Sequence, residues 1–460
     1  MDKNNFSKLN ISKELLLNLE SLNFNEMTPI QAESLPAILA GKDVIAQAKT
    51  GSGKTAAFAL GLLSNLNISD SRTQSLVLCP TRELAEQVSV AIRQLARTLP
   101  NVKVLTLCGG AQYRAQVASL GHGAHIVVGT PGRIAKHLRK ETLKLNALKM
   151  LVLDEGDRML EMGFQDEVDS IIDMTPSKKQ TLLFSATYPE KIQLISKRIM
   201  SQPVMVKVES KHDTATITQH FYKVSDVRGR MEALGLIIMH YRPESTIIFC
   251  NTKRDVVDVC EYMTNEGFSA LELHGGLEQY DRDEALIKFS NKSVSVLVAT
   301  DVAARGLDIE SVDCIINYHI TRDFEVHIHR IGRTGRAGGT GIACSLFAEK
   351  EHYKIKQLEE FLEDTIKLEE LPHKSVMKQQ MIVPKMTTIL LNVGKKQKIR
   401  PGNIMGAFTG KTGLKADEVG KIKVCDNNTY VAIATEAIDF ALKKIRNETW
   451  KGRGIKAKLI

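Results

Sequence analysis

The chain has 460 residues, 43% of them hydrophobic and 25% charged, with a formal net charge of +9. That composition suits a globular protein of about three domains. It excludes a membrane-spanning protein, because no apolar run approaches the ~20 residues a membrane helix needs. The opening Met-Asp-Lys-Asn-Asn-Phe lacks a signal-peptide profile, so a cytoplasmic location is expected. The seven cysteines include no Cys-x-x-Cys pair and no zinc-type spacing, so they read as reduced and mostly buried.

Residues 1–208 alternate short β-rich runs (Ser75–Cys79, Val102–Leu107, His125–Val128, Met150–Leu153, Gln180–Phe184) with helical stretches such as Ala85–Ala96 and Asp166–Met174. Such alternation predicts a parallel sheet covered by helices on both faces. Within this lobe an apolar run, Val44 to Ala46, enters Ala48-Lys49-Thr50-Gly51-Ser52-Gly53-Lys54-Thr55, and a helical run follows. The segment fits a phosphate loop once Ala48 replaces the first glycine. Gly51 and Gly53 let the backbone N–H groups, with those of Thr50 and Ser52, turn toward phosphate oxygens, and the helix dipole adds to that field. Lys54 is then expected on the β and γ phosphates, with the Thr55 hydroxyl on Mg²⁺. Farther on, the strand Leu151–Leu153 ends in Asp154-Glu155-Gly156-Asp157. A carboxylate there can hold the water shell of Mg²⁺, and its neighbour can polarise the attacking water.

A polar stretch, 209–218, reads as a linker, after which the strand and helix alternation restarts over 219–368 without a second phosphate loop. Two α/β lobes with one loop suggest ATP in the cleft between them. Near the end of lobe two, His329 to Arg336 places three arginines beside glycines. Such arginines can act as fingers on a γ phosphate, or can form a solvated surface run.

A second linker, 369–384, leads into 385–460, whose runs give strand, helix, strand, strand, helix, strand. That βαββαβ order predicts a split βαβ domain of the RNA-recognition type. From His373 onward there are 18 Lys+Arg against 6 Asp+Glu, an excess of 12, which points to a polyanion partner at the C-terminus. The expected fold class is therefore α/β: two tandem RecA-like parallel-sheet lobes followed by a small RNA-recognition-like domain.

Taken together, these motifs resemble those of the DEAD-box RNA helicases, superfamily 2 ATPases, over about residues 6–350. Phe24 with Thr28-Pro29-Ile30-Gln31 is similar to the adenine-reading Q motif, with Phe6 upstream. The resemblance implies that Gln31 reads the base edge and Phe24 stacks. Pro80 to Ala85, Gly109-Gly110 and Thr130 to Arg133 resemble RNA-gripping segments, which implies RNA contacts at Arg82, Gly110, Thr130 and Arg133. In lobe two it implies RNA contacts at Thr252, Gln279, Arg282 and Thr300, and nucleotide contacts at Gly306 and Asp308. Ser185-Ala186-Thr187 resembles the segment that links hydrolysis to strand separation. Lys54, Asp154, Glu155, Arg333 and Arg336 are the implied catalytic set, the last two as fingers. ATP and Mg²⁺ are the implied cofactors, with Thr55 and Asp154 on the metal side. Two positions depart from the family pattern: Gly156 where alanine is usual, and Asn23 where glycine is usual.

The tail resembles that of a bacterial branch of the family that binds large-subunit (23S) ribosomal RNA near the peptidyl-transferase centre, which implies a role in ribosome assembly. Its two central strands offer only Tyr430 for stacking. The expected RNA contacts are therefore Lys395, Lys396, Lys398, Arg400, Lys451 and Arg453. Trp450 is read as core packing. Two other readings stay open at this stage: an ATP-dependent clamp that hydrolyses poorly because of Gly156, and a general RNA chaperone whose basic tail adds only nonspecific grip.

Overall fold

The computed structural model describes residues 5–48, 51–208, 217–304, 312–335, 339–410, 413–446, 449–450 and 453–460. Thr50, Gly306, Asp308, Arg336 and Lys451 lie outside the described residues, as do the side chains of Trp450 and Arg453.

Lobe one is built on a parallel sheet of β1 (Val44–Gln47), β2 (Ser75–Leu78), β3 (Val104–Leu107), β4 (Ile126–Gly129), β5 (Met150–Asp154), β6 (Gln180–Ser185) and β7 (Val204–Lys207). Its order is β3-β4-β2-β5-β6-β1-β7. β2, β4 and β5 are buried along their whole length, so they read as continuous apolar runs rather than alternating ones. One core cluster forms against the phosphate-loop helix Lys54–Ser64 and the helix Arg82–Leu95, around Phe58, Leu60 and Val88. A second, around Leu76, Val127 and Leu151, fills the other face.

The second unit repeats this plan. β8 (Ile217–Val224), β9 (Thr246–Cys250), β10 (Ala270–Leu273), β11 (Val296–Thr300), β12 (Cys314–Asn317), β13 (Gly341–Ala348) and β14 (Leu368–Glu369) pair in the order β10-β11-β9-β12-β13-β8-β14. Strand for strand this is the topology of lobe one. Where β1 leads into a glycine-rich loop, β8 leads into Ser225-Asp226, and Asp226 caps the helix Val227–Tyr241.

Of the first expected linker, residues 209–216 lie outside the described residues. Residues 217 and 218 belong to β8, whose Ile-Thr-Gln-His-Phe-Tyr-Lys-Val is too polar to stand out as an apolar run. The second linker is no free tether, because Glu369 pairs with β8 and accepts from His220 Nδ1 at 2.9 Å. Leu371, Val376, Met377, Met381 and Ile382 then pack on the lobe-two core.

The tail has a four-stranded antiparallel sheet of β15 (Met386–Leu391), β16 (Val419–Val424), β17 (Thr429–Ala434) and β20 (Ala457–Leu459), in the order β16-β17-β15-β20. β18 (Thr449–Trp450) and β19 (Arg453–Gly454) pair antiparallel as a separate two-stranded sheet. The helices Pro401–Thr409 and Ile438–Arg446 cover one sheet face, where Ile389, Leu391, Val431 and Ile433 form the core. Side chains alternate across a strand, so Thr388, Leu390, Tyr430 and Ala432 share the other face. That face is not open to solvent throughout. Thr388 Oγ1 accepts from Asn291 Nδ2 at 3.1 Å and bonds to Ser293 Oγ. Tyr430 is buried on this face beside Tyr280, which helps to hold its hydroxyl protonated. The tail thus docks its sheet on the lobe-two helix Gln279–Ser290 and the turn after it.

Candidate nucleotide and RNA sites

The carboxyl ends of the lobe-one strands divide into two neighbouring groups. β5, β6 and β1 deliver Asp154, Ser185 and the phosphate loop; β3, β4 and β2 deliver Gly109-Gly110, Thr130 and Arg82. Ligands of open parallel sheets bind at such carboxyl ends.

In the first group, Gly51 and Gly53 hold φ of +83° and +95°, a region that penalises any Cβ. At Gly53 a Cβ would also lie 2.5 Å from Gln31 Nε2 and 2.8 Å from Thr28 Oγ1. This closeness reflects a direct link: Gln31 Nε2 donates to Gly53 O at 3.1 Å, while Gln31 Oε1 accepts from Thr28 N at 2.9 Å. The expected base-reading amide is therefore tied to the phosphate loop. Phe24 is half-buried and meets the buried Phe6 edge-on at 6.4 Å.

Lys54 is buried, and its ammonium donates to Ala48 O at 2.6 Å, at the mouth of the loop. Asp154 is buried as well. Desolvation, then repulsion from Glu155, pushes its carboxyl up to about 7, while Lys54 pulls the other way. A buried hard-oxygen ligand whose charge lacks compensation fits a divalent cation. Among the described residues no group of three or more His, Cys, Asp or Glu could hold a metal. The half-buried Thr55 hydroxyl, water and phosphate oxygens would complete a Mg²⁺ shell, which retains several such ligands.

The chain turns at Glu155, which sits at φ +50° and starts the short helix Gly156–Glu161. This turn aims Asp157 at the end of β6. Asp157 Oδ2 accepts from Thr187 N at 2.9 Å and from Thr187 Oγ1 at 2.8 Å. The acidic motif and Ser185-Ala186-Thr187 are thereby joined. At Gly156 an added Cβ would stand 3.3 Å from Ile192 Cδ1 and 3.4 Å from Leu183 Cδ1. The space of the absent methyl is taken up by neighbours, so the glycine leaves no void there.

In the second group, Arg82 lies against Gly109, where a Cβ would be 2.8 Å from its Nη2. Gly110 has φ +80°. Thr130 caps the helix Pro131–Arg139, and Arg133 Nη1 donates to Ala111 O at 3.2 Å and to Gln116 Oε1 at 2.8 Å. Gln116 in turn donates to Cys108 O at 3.0 Å. The four expected lobe-one RNA residues thus form one strip.

In lobe two, Thr300 ends β11 beside Cys250 of β9, and Thr252 follows β9, so these two are brought together. Thr252 Oγ1 is engaged in a capping box with Asp255. Gln279 and Arg282 share the first turn of the helix Gln279–Ser290. The arginine stretch separates into unlike members. Arg330 is 2% exposed, and its Nε and Nη2 reach Asp301 Oδ1 and Oδ2 at 2.6 and 2.7 Å. It also donates to Asn317 Oδ1, His319 O and Asn251 Oδ1. Arg333, three residues on, is half-buried on the turn after the helix. Sequence reasoning gave Arg330 no task, because residues three apart share a helix face and only the end of the helix at Ile331 sets Arg333 apart.

On the tail, Lys395, Lys396, Lys398 and Arg400 are all exposed on one loop. The loop is held by Lys395 N on Cys425 O at 2.8 Å and Lys396 N on Asp426 O at 2.9 Å, and Lys398 adopts φ +60°. Tyr430, the one expected stacker, is 5% exposed.

Three family descriptions match this chain: DEAD/DEAH box helicase over residues 28–195, helicase conserved C-terminal domain over 229–338, and DbpA RNA binding domain over 388–459. The ATP-dependent RNA helicase DbpA of Escherichia coli is 47% identical over 456 residues, 99% of both chains. The Bacillus subtilis DbpA is 36% identical over 98% of both chains. The chain belongs to the DEAD-box RNA helicases, in the DbpA branch.

Among solved structures, yeast Dbp5 bound to RNA and ADP BeF3 matches with a TM-score of 0.73 at 28% identity, over 82% of this chain and 98% of that one. As a DEAD-box helicase of the DbpA type, this protein is an ATP-dependent RNA helicase that uses ATP and carries a DbpA RNA-binding domain. No helix among the described residues is long and apolar enough to cross a membrane. The helicase also accommodates its second departure from the family pattern. Asn23 has φ +60°, a left-handed position where glycine is natural and asparagine is among the most tolerated alternatives.

Proposed function

We propose that this helicase locally separates strands of large-subunit ribosomal RNA near the peptidyl-transferase centre during assembly of that subunit, in the cytoplasm. The observation that carries this reading is the division of labour on the tail. The sheet face is engaged by lobe two through Thr388 and Tyr430, whereas Lys395, Lys396, Lys398 and Arg400 stand exposed on one loop. A loop of cations suits the phosphates of a folded RNA better than it suits splayed bases. Lys451 and Arg453 join that set as its proposed continuation.

In the proposed reaction the phosphate loop and Lys54 hold the triphosphate, and Gln31 and Phe24 read its base. Glu155 orients the attacking water and accepts its proton. Arg333 and Arg336 offset the charge that develops on the γ phosphate, with Gly306 and Asp308 on the nucleotide. Mg²⁺ held through Thr55 and Asp154 would neutralise phosphate charge when bound. Arg82, Gly110, Thr130 and Arg133, with Thr252, Gln279, Arg282 and Thr300, grip the RNA backbone without reading sequence.

The test is steady-state ATP hydrolysis at one salt concentration with no RNA, with a generic single strand, and with a ribosomal fragment containing the peptidyl-transferase hairpin. Strong stimulation by the fragment alone is expected. Equal stimulation by both RNAs would instead mark a general RNA chaperone. ATP-dependent RNA binding without turnover would mark a clamp.

A further inference from the structure

Beside the lobe-one strip, the helices Tyr113–Gly121 and Pro131–Arg139 and the turn after the second bound a groove of about 600 Å³, lined by Tyr113, Arg114, Val117, Lys140 and Thr142. Cations gather around its aromatic wall. Lys136 Nζ, Lys140 Nζ and Arg133 Cζ stand 5.3, 5.8 and 5.9 Å from the centroid of the Tyr113 ring. Arg114, Lys136, Arg139 and Lys140 are exposed, and among the described residues none of the four is in an ion pair. Glu141 is the acidic neighbour in the chain.

The ring that gathers these cations is rigidly placed. It stacks on His137 with centroids 4.5 Å apart and planes 21° apart, and its hydroxyl bonds to Thr142 Oγ1 at 3.0 Å. Thr142 Oγ1 is 2.8 Å from His137 Nδ1, and His137 Nε2 is 3.0 Å from the same Gln116 Oε1 that accepts from Arg133. Burial, then Arg133 and Lys136, push His137 down to about 4, so at neutral pH it is uncharged and adds no repulsion to the cluster. Arg133 is thus shared between the strip assigned to the RNA backbone and the groove.

We propose that this groove is an accessory RNA-backbone site, in which Lys136, Lys140 and Arg114 hold phosphates of the strand where it continues beyond the segment gripped at Thr130–Arg133. Three like charges around one ring, none of them in an ion pair among the described residues, call for an anion of repeating phosphate rather than a single carboxylate. Continuity through Arg133 and Gln116 selects RNA over other polyanions. The proposal rests on the reading that Arg133 lies on the RNA track.

The test uses the full chain and two oligouridylates, one just long enough to occupy the core track and one extended at both ends. RNA affinity in the presence of a non-hydrolysable ATP analogue is measured across salt concentrations for wild type, K136Q/K140Q, R114Q and R133Q. Thermal unfolding of each nucleotide-free variant checks the fold. K136Q/K140Q is expected to weaken the extended RNA several-fold and to lower its log–log salt slope by about 1.4, roughly 0.7 for each phosphate contact on a single strand. It should leave the short RNA unchanged, and R114Q should act in the same sense with a smaller effect. Equal effects on both lengths, or none on either, would overturn the accessory site. R133Q separates the two readings, because it should weaken both lengths. If R133Q weakens neither while K136Q/K140Q still weakens the extended RNA, the assignment of Arg133 fails and the groove stands as a site of its own.

Discussion

Arg330 clamps Asp301 through two parallel bonds of 2.6 and 2.7 Å, with the guanidinium 5.1 Å from the centre of the Phe249 ring. One arginine thereby joins the segment after β11, the strand β9 and the helix Phe324–Ile331, three stretches that the resemblance assigns to RNA or nucleotide. Removing one partner of a buried pair leaves the other uncompensated, at a cost of about 3–5 kcal/mol. R330K keeps the charge but not the fork, so what it loses is the bonds to Asn317, His319 and Asn251 and one of the two to Asp301, at about 1–3 kcal/mol for each buried group left without a partner. Chemical denaturation should therefore show a large loss for R330K and almost none for R333K. RNA-stimulated ATP turnover should fall in both. Equal stability of R330K and wild type would show that the fork is dispensable.

Thr187 gives both its N–H and its hydroxyl to Asp157 Oδ2. The backbone bond survives T187V and the hydroxyl bond does not, a loss of about 1.5–3 kcal/mol for a bond to a charged group. The nucleotide-binding groups themselves are untouched. RNA-stimulated hydrolysis should stay near wild type while strands separated per ATP fall roughly tenfold, equivalent to about 1.4 kcal/mol. A parallel drop in both activities would mean that the link serves hydrolysis rather than its coupling.

The position of Gly156 makes the departure from alanine a packing matter. Alanine in place of glycine gains about 0.5–1 kcal/mol of helix propensity, while overpacking costs about 1–3 kcal/mol. With Ile192 Cδ1 at 3.3 Å from the added Cβ, the balance in G156A runs from neutral to about 2 kcal/mol destabilising. Shortening that neighbour removes the clash, so G156A should be more favourable in an I192V background than in wild type. A double-mutant cycle on unfolding midpoints reads this coupling, and strict additivity would show that the two side chains do not meet.

Much of this molecule is legible in its sequence where the physics is local. β1, β2, β4 and β5 announce themselves as short apolar runs, and the glycines at 51 and 53 mark the loop because only that backbone curls there. β8 escapes because Thr218, Gln219, His220 and Lys223 interrupt its apolar pattern, and its pairing with β13 is fixed by residues more than a hundred positions away. The stretch with Met377 and Met381 reads as a linker, yet its apolar side chains are spent on lobe two. Charge alone does not separate Arg330 from Arg333, since burial is a property of the fold. The groove at Tyr113 is likewise invisible, because its cations come from two helices that only the sheet brings together.

Asp154 sets a pH dependence. Its carboxyl titrates at about 7 in the fold against a usual value of 3.8, for reasons of burial first and Glu155 second. The nucleotide-free fold therefore prefers the protonated acid. The associated stability is present in full below about 4 and is lost as pH rises through about 7. In nucleotide- and metal-free protein, D154N should gain in melting temperature over wild type as pH rises across that window. Binding of Mg²⁺ requires the ionised form, so metal-dependent ATP affinity of the wild type should strengthen over the same range. A gap between D154N and wild type that is flat with pH would show that Asp154 is already ionised in the empty site.

The docked tail leads to a prediction in which RNA affinity and RNA response come apart. Thr388 is fully buried against Asn291 and Ser293, Tyr430 is buried beside Tyr280, and Lys421 Nζ donates to Ser290 Oγ at 3.3 Å. T388V and Y430F together leave Asn291 and Ser293 without their partner, at about 1–3 kcal/mol for each group that stays buried, and remove the hydroxyl beside Tyr280. The dock should loosen while the loop carrying Lys395 to Arg400 is untouched. The double variant should then bind the peptidyl-transferase hairpin with affinity within about threefold of wild type, under 1 kcal/mol. Its ATP turnover on that RNA should fall much further, since the tail would no longer deliver the RNA in a fixed relation to Gln279 and Arg282 on the helix it leans against. Replacing Lys395, Lys396, Lys398 and Arg400 by glutamine should do the reverse, lowering affinity and the salt slope first. If the double variant loses hairpin affinity as severely as the four-site variant, the sheet face itself takes part in binding and the division of labour on the tail is wrong.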